Sequence, residues 1–172
     1  VKFGGGYRGW SDLQSTPAKV KAGVTTADVS PVNVADTSGV LPAILENNIV
    51  LPYNDLDAAS DCLERQKSEI ACVIVEPIIH GKSLLPVPGF LEGLRQLCDS
   101  YDIPLVLDEI ITGWGRTGSM FAAQTYDVVP DMICGGKGLS SGAIPLGAMM
   151  ARIDMADCFQ QEDGGNFAHG HT

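Results

Sequence analysis

The chain of 172 residues contains no apolar run near the roughly 18 residues that a membrane-spanning helix requires, so a helical membrane anchor within it is excluded. Basic residues are scarce: 11 Lys and Arg face 21 Asp and Glu, leaving a formal charge of −10 without any cationic stripe to follow a phosphate backbone. Nucleic acid is therefore not an expected partner. No C-x-x-C pair occurs among Cys62, Cys72, Cys98, Cys134 and Cys158, which are odd in number, widely spaced and mostly set in apolar surroundings. Neither a zinc site nor a redox motif is indicated, and a reducing cytoplasm fits best. Repeats and low-complexity tracts are also missing. So are the G-x-G-x-x-G turn of dinucleotide-binding folds and the strand–GxxxxGK[ST]–helix unit of nucleotide-binding P-loops.

What is present is an alternation of short apolar runs and amphipathic stretches, with 45% apolar residues, 20 Gly and 10 Pro. At this length one domain with a real core is expected. Residues 1–43, rich in Gly, Ser, Thr and Pro, read as mostly loop. From there the pattern becomes regular. An apolar run at Ile49 to Leu51 is followed by Asn54 or Asp55 as a helix N-cap and by Leu56, Ala59, Cys62 and Leu63 at helical spacing. A strand over Ala71 to Val75 leads through a Pro/Gly-rich connection to a helix from about Gly89 to Tyr101, with Phe90, Leu94, Leu97 and Cys98 on one face. Further strands are expected at Pro104 to Leu107, Met132 to Cys134 and Leu146 to Ala151. Runs without polar alternation imply strands covered on both faces, and intervening helices imply parallel crossovers. The predicted fold is α/β, a mostly parallel sheet covered by helices on both faces.

In such sheets ligands gather at the carboxyl ends of strands. Three predicted strands end in polar or glycine-rich sequence: Glu76-Pro77, Asp108-Glu109, and Gly135-Gly136-Lys137-Gly138. An Asp and a Lys at neighbouring strand ends can face one ligand from two sides, a geometry suited to a cationic heterocycle bearing a carbonyl. Taken alone, Asp108 reads equally as a cap or turn residue, and Lys137 as a solvated loop lysine. The glycines around Lys137 favour the ligand reading, since they permit positive φ and close approach of backbone to a bound group.

These residues carry a specific resemblance. The segments PLVLDEIITGWGRTGSMFA and YDVVPDMICGGKGLSSGAIPLGAMMA, with VLPYNDLDA, IVEP and PGFLEGLRQLCD upstream and FAHGHT downstream, resemble class III aminotransferases of the fold-type-I pyridoxal-phosphate group over nearly the whole chain. The resemblance implies pyridoxal 5′-phosphate as cofactor, Lys137 as the lysine forming the Schiff base, and Asp108 as the carboxylate paired with the pyridine nitrogen. It implies that Ile110 packs on one ring face, where plain core packing is the alternative, and that Tyr7 of the Tyr-Arg-Gly segment, with Gly9, lies at the other, where turn packing is the alternative. It also implies that Thr172 reaches the cofactor phosphate of a neighbouring subunit in a homodimer. Arg8 departs from the pattern, standing where the family has histidine. Glu76 and Glu109 are expected in or near the site through polar contacts, and Arg116 in positioning its loop. A metal at His169 and His171 is disfavoured for want of further ligands.

On the same resemblance the chain is expected to be the central part of the large cofactor-binding domain, a fragment whose upstream phosphate loop and C-terminal small domain lie outside it. The activity implied is transfer of an amino group between an amine or amino acid and a 2-oxo acid. The segments KFGGGYRGW and YNDL also resemble glutamate-1-semialdehyde aminomutase, an isomerase of the same chemistry. A non-catalytic scaffold on this fold is the alternative of another class.

Overall fold

The computed structural model describes residues 1–9, 11 and 38–157. In chain order these form β1 (Lys2–Phe3), α1 (Pro42–Leu45), β2 (Val50–Leu51), α2 (Leu56–Gln66), β3 (Val73–Val75), α3 (Phe90–Ser100), β4 (Leu105–Asp108), α4 (Ala122–Thr125), β5 (Met132–Gly135), β6 (Ala148–Ala151) and α5 (Ile153–Asp157). One sheet has the order β2-β1-β3-β4-β5-β6. Its first five strands run parallel, with Val106 opposite Ile74 and Met132 and Asp108 opposite Cys134, and β6 closes the edge antiparallel to β5. The mostly parallel α/β sheet expected from the apolar runs is present.

The helices start where local chemistry permits. Asp55 caps α2, its Oδ1 accepting from the amide of Ala58 at 2.9 Å. At the start of α3 the turn is made by Gly89, whose φ of 84° suits a residue without Cβ. Ala59, Cys62 and Leu63 of α2 and Phe90, Leu91, Leu94 and Cys98 of α3 join Val73, Val75, Leu105 and Leu107 in one core. Because side chains alternate along a strand, those strand residues commit one sheet face to α2 and α3. Ile74 and Glu76 after it, with Val106 and Asp108, are thereby turned to the opposite face. That parity puts two carboxylates on one side of the sheet, side by side at the carboxyl ends of β3 and β4.

Within the first 43 residues, expected to be mostly loop, Lys2–Phe3 is an inner strand, flanked by β2 and β3, and Phe3 is 2% exposed. A two-residue strand is too short to show alternation, and its burial arises from partners distant in sequence, so no local pattern marks it. The strand expected over Leu146 to Ala151 spans Ala148–Ala151 and pairs antiparallel to β5. The expected strand and helix boundaries agree with the observed ones within two residues.

Candidate active site

Four segments meet beyond the carboxyl ends of β1, β3, β4 and β5. They form a cleft of about 480 Å³ lined by Tyr7, Arg8, Gly9, Glu76, Ile78, His80, Asp108, Ile110, Ile111, Thr112 and Lys137. The size falls within the range for small-molecule and cofactor sites, and apolar walls with a few convergent polar groups are what such sites consist of. Of the residues picked out from sequence, Tyr7, Gly9, Glu76, Asp108, Ile110 and Lys137 all border this one cleft. Thr172, His169 and His171 lie outside the described residues.

Asp108 is the last residue of β4 and is 5% exposed. Its Oδ1 accepts from the Ile110 amide at 3.2 Å, and its Oδ2 lies 3.4 Å from Nη1 of Arg8. Burial pushes its carboxyl above the ordinary value and Glu76 adds to this, while Arg8, the Ile110 amide and Lys137 pull it back without cancelling the rise. Glu76 is held differently. It accepts from the backbone amides of Tyr7 (2.8 Å) and His80 (2.9 Å), from Arg8 Nη1 (2.6 Å), and faces the His80 Nδ1 at 3.0 Å. Burial again opposes its charge, but the His80 amide, the Arg8 guanidinium, the His80 ring and the Tyr7 amide outweigh it, and the Glu76 carboxyl lies below its ordinary value.

Lys137 follows β5 and opens a short 3-10 turn, Lys137–Leu139, with a φ of +44°. A non-glycine residue in this region carries strain that its surroundings must sustain. The glycines around it work otherwise than expected: the positive φ belongs to the lysine, and the glycines make room for Trp114. A Cβ on Gly138 would stand 2.9 Å from the Trp114 Cβ, and one on Gly135 would stand 3.2 Å from its ring. Trp114, itself at φ 63°, packs edge-on against Phe121 at 5.2 Å. Lys137 is exposed and also borders a second hollow with Ile111, Trp114 and Arg116, so its amine is reachable from two sides.

Glu109 does not belong to the site. Fully buried, it accepts from Thr112 Oγ1 at 3.0 Å and from the amides of Ala122 and Ala123 at 2.6 and 2.7 Å, tying the loop after β4 to the start of α4. Strand parity gives the physical reason that Asp108, which the resemblance singles out, faces the cleft while Glu109 beside it turns away. His80, Ile78, Ile111 and Thr112 were not anticipated in the cleft. For His80 a signal existed in its four-residue spacing from Glu76, but it lies in a connection too rich in Pro and Gly to read as periodic.

The residues present suit pyridoxal 5′-phosphate. A desolvated carboxylate at a strand end can hold a protonated ring nitrogen, an accessible primary amine can take the aldehyde, and Ile110 and Tyr7 offer apolar surface to a flat ring. Tyr7 is 54% exposed and packs edge-on to His80 at 6.1 Å.

Comparison with known proteins agrees with this chemistry. The family model described as "Aminotransferase class-III" matches residues 3–172. Curated relatives include glutamate-1-semialdehyde 2,1-aminomutase from Chloroflexus aggregans, 41% identical over 86% of this chain and 32% of the relative, and from Salinibacter ruber, 37% identical over 91% and 34%. Among solved structures, an omega-transaminase from Sphaerobacter thermophilus is 29% identical with a TM-score of 0.82, covering 99% of this chain and 39% of that one. An acetylornithine aminotransferase from Elizabethkingia anophelis is 35% identical with a TM-score of 0.65 over 73% of this chain and 33% of its own. The chain spans about a third of the length of the curated relatives it matches.

Proposed function

Because the chain belongs to the class III aminotransferase family, whose members depend on pyridoxal 5′-phosphate, we propose that it serves amino-group transfer between an amine or amino acid and a 2-oxo acid, as the central part of a large cofactor-binding domain. The observation that carries this reading is the convergence of Asp108 and Lys137 on one cleft from the ends of adjacent strands. When bound, the cofactor supplies an electron-withdrawing ring that stabilises negative charge at the substrate carbon. Asp108 keeps the ring nitrogen protonated by offering its carboxylate. The Lys137 amine would hold the cofactor through its aldehyde, and as a base it would move a proton at the substrate carbon. Tyr7 and Ile110 would offer apolar surface to the two faces of the ring, and by the family resemblance Thr172 would donate to the cofactor phosphate of the neighbouring subunit in a homodimer. The four described cysteines are free thiols, which suits the cytoplasm.

The identity of 37–41% to glutamate-1-semialdehyde aminomutases favours a second reading, in which the amino group moves within one molecule. The two share every residue named above and part on one point: transamination needs a 2-oxo acid acceptor, isomerisation does not.

The test is an absorbance spectrum of the whole protein with pyridoxal 5′-phosphate, before and after borohydride. A yellow band that reduction traps on Lys137, and that Lys137→Ala loses, is expected. A folded protein without such a band would sink catalysis and leave a scaffold. Turnover assays with and without a 2-oxo acid then separate the two enzymatic readings.

A further inference from the structure

Arg8 departs from the family pattern, and its surroundings are unusual for an arginine. Its side chain is 3% exposed. Nη1 donates to Glu76 Oε1 at 2.6 Å and to the Tyr7 carbonyl at 3.2 Å, and lies 3.4 Å from Asp108 Oδ2. Nε and Nη2 are buried without a hydrogen-bond partner. The planar fork, the feature that makes arginine a bidentate ligand, is thus not engaged; one corner of the guanidinium does the contacting, wedged between two carboxylates. The wedge depends on Gly6, where a Cβ would stand 2.8 Å from both Nη1 and Nη2.

We propose that Arg8 is a positioning residue that keeps Asp108 ionised and leaves the carboxylate pair with one net negative charge, the charge that a single protonated ring nitrogen balances. This rests on the reading above of Asp108 as partner of the pyridine nitrogen. Two carboxylates brought together in a desolvated pocket cannot both stay ionised without a cation, and one takes up a proton instead. Here Glu76 already collects four donors, two backbone amides and the Arg8 and His80 side chains, so Asp108 is the group on which the proton would settle. The other titratable groups facing Asp108 are Lys137, which helps Arg8, and Cys134 on β5, whose thiol burial and the Asp108 charge push upward. Lys137 is exposed and its amine would be engaged by the cofactor, so the buried guanidinium is the counter-charge that stays in place. A neutral histidine at position 8 would not supply it.

The decisive measurement is the titration of the Asp108 carboxyl by carbon-13 NMR in the cofactor-free whole protein. Arg8→Gln should raise its midpoint by about one pH unit or more, Arg8→Lys should hold it within a few tenths, and Arg8→Gln with Glu76→Gln should return it most of the way. An unmoved midpoint in Arg8→Gln, or an equal rise in Arg8→Lys, would overturn the charge role. Should Arg8→Gln not fold, Arg8→Met decides in its place: a raised midpoint supports the role and an unmoved one rejects it. Failure of the unsubstituted protein to attach pyridoxal 5′-phosphate would instead strike the cofactor reading, with the Asp108 titration still judging Arg8.

Discussion

On the proposed function Asp108 and Lys137 divide the work at the site, and their substitution should separate it. Asp108→Asn keeps the volume and a hydrogen-bonding oxygen but loses the charge that holds a ring proton. Attachment of the cofactor to Lys137 should persist while turnover falls on the order of 100-fold. Borohydride trapping compared with steady-state rates in one preparation checks this, and parallel loss of both would show that Asp108 mainly builds the pocket. Lys137 was legible from its glycine-rich setting, but its own left-handed φ was not, because that follows from how the turn packs over Trp114. Gly138→Ala should therefore cost about 1–3 kcal/mol by driving a methyl into the Trp114 Cβ, which belongs to the backbone-fixed part of that side chain. A urea midpoint at the parent value would show that the turn can move aside.

Among the elements, β4 and the loop after it show most clearly how a strand delivers function. Leu105 and Leu107 go to the core, Asp108 goes to the cleft, and Glu109 turns back to gather Thr112 and the first amides of α4. Removing it leaves three buried donors without an acceptor. Glu109→Ala should destabilise by about 3 kcal/mol, whereas Thr112→Val, which deletes one donor, should cost about 1 kcal/mol or less. Equal losses in chemical denaturation would place the stability in the hydroxyl. The core helices were legible because α2 and α3 repeat apolar residues at helical spacing and α2 carries a side-chain cap. The inner strand β1 was not, since two residues between Val1 and Gly4 have no period to detect.

For the molecule as a whole, the sheet brings charges from distant parts of the chain into networks that acid should dissolve. Glu76, and Asp131 bound to Arg95, Arg152 and the Leu105 amide, both have carboxyls held below their ordinary values. In both, burial works the other way and is outweighed: by the His80 amide and the Arg8 charge at Glu76, and by the Leu105 amide and Arg95 at Asp131. A depressed folded-state value means stability that is complete above the unfolded carboxylate range, near pH 4, and is lost as pH falls through the folded values. Asp108, whose carboxyl is raised, acts with the opposite sign and favours the folded state as it protonates. The urea midpoint should hold between pH 7 and 5 and drop below about pH 4, and Glu76→Gln should flatten part of that drop. A midpoint rising on acidification would mean that Asp108 outweighs the other two.

By itself the sequence determined the alternation of buried strands and amphipathic helices, the family, its cofactor, and the candidacy of Lys137 and Asp108. All of these depend on local period, composition or ordered motifs, which a linear chain displays directly. Only the tertiary structure decided that Glu109 turns from the cleft to the start of α4, that a two-residue strand lies inside the sheet, and that the glycines around Lys137 accommodate an indole. It alone joined Arg8 to Glu76 and Asp108, 68 and 100 residues away. Strand parity and register are properties of pairing between segments, and the charge balance of a pocket exists only after pairing has brought its groups out of water together.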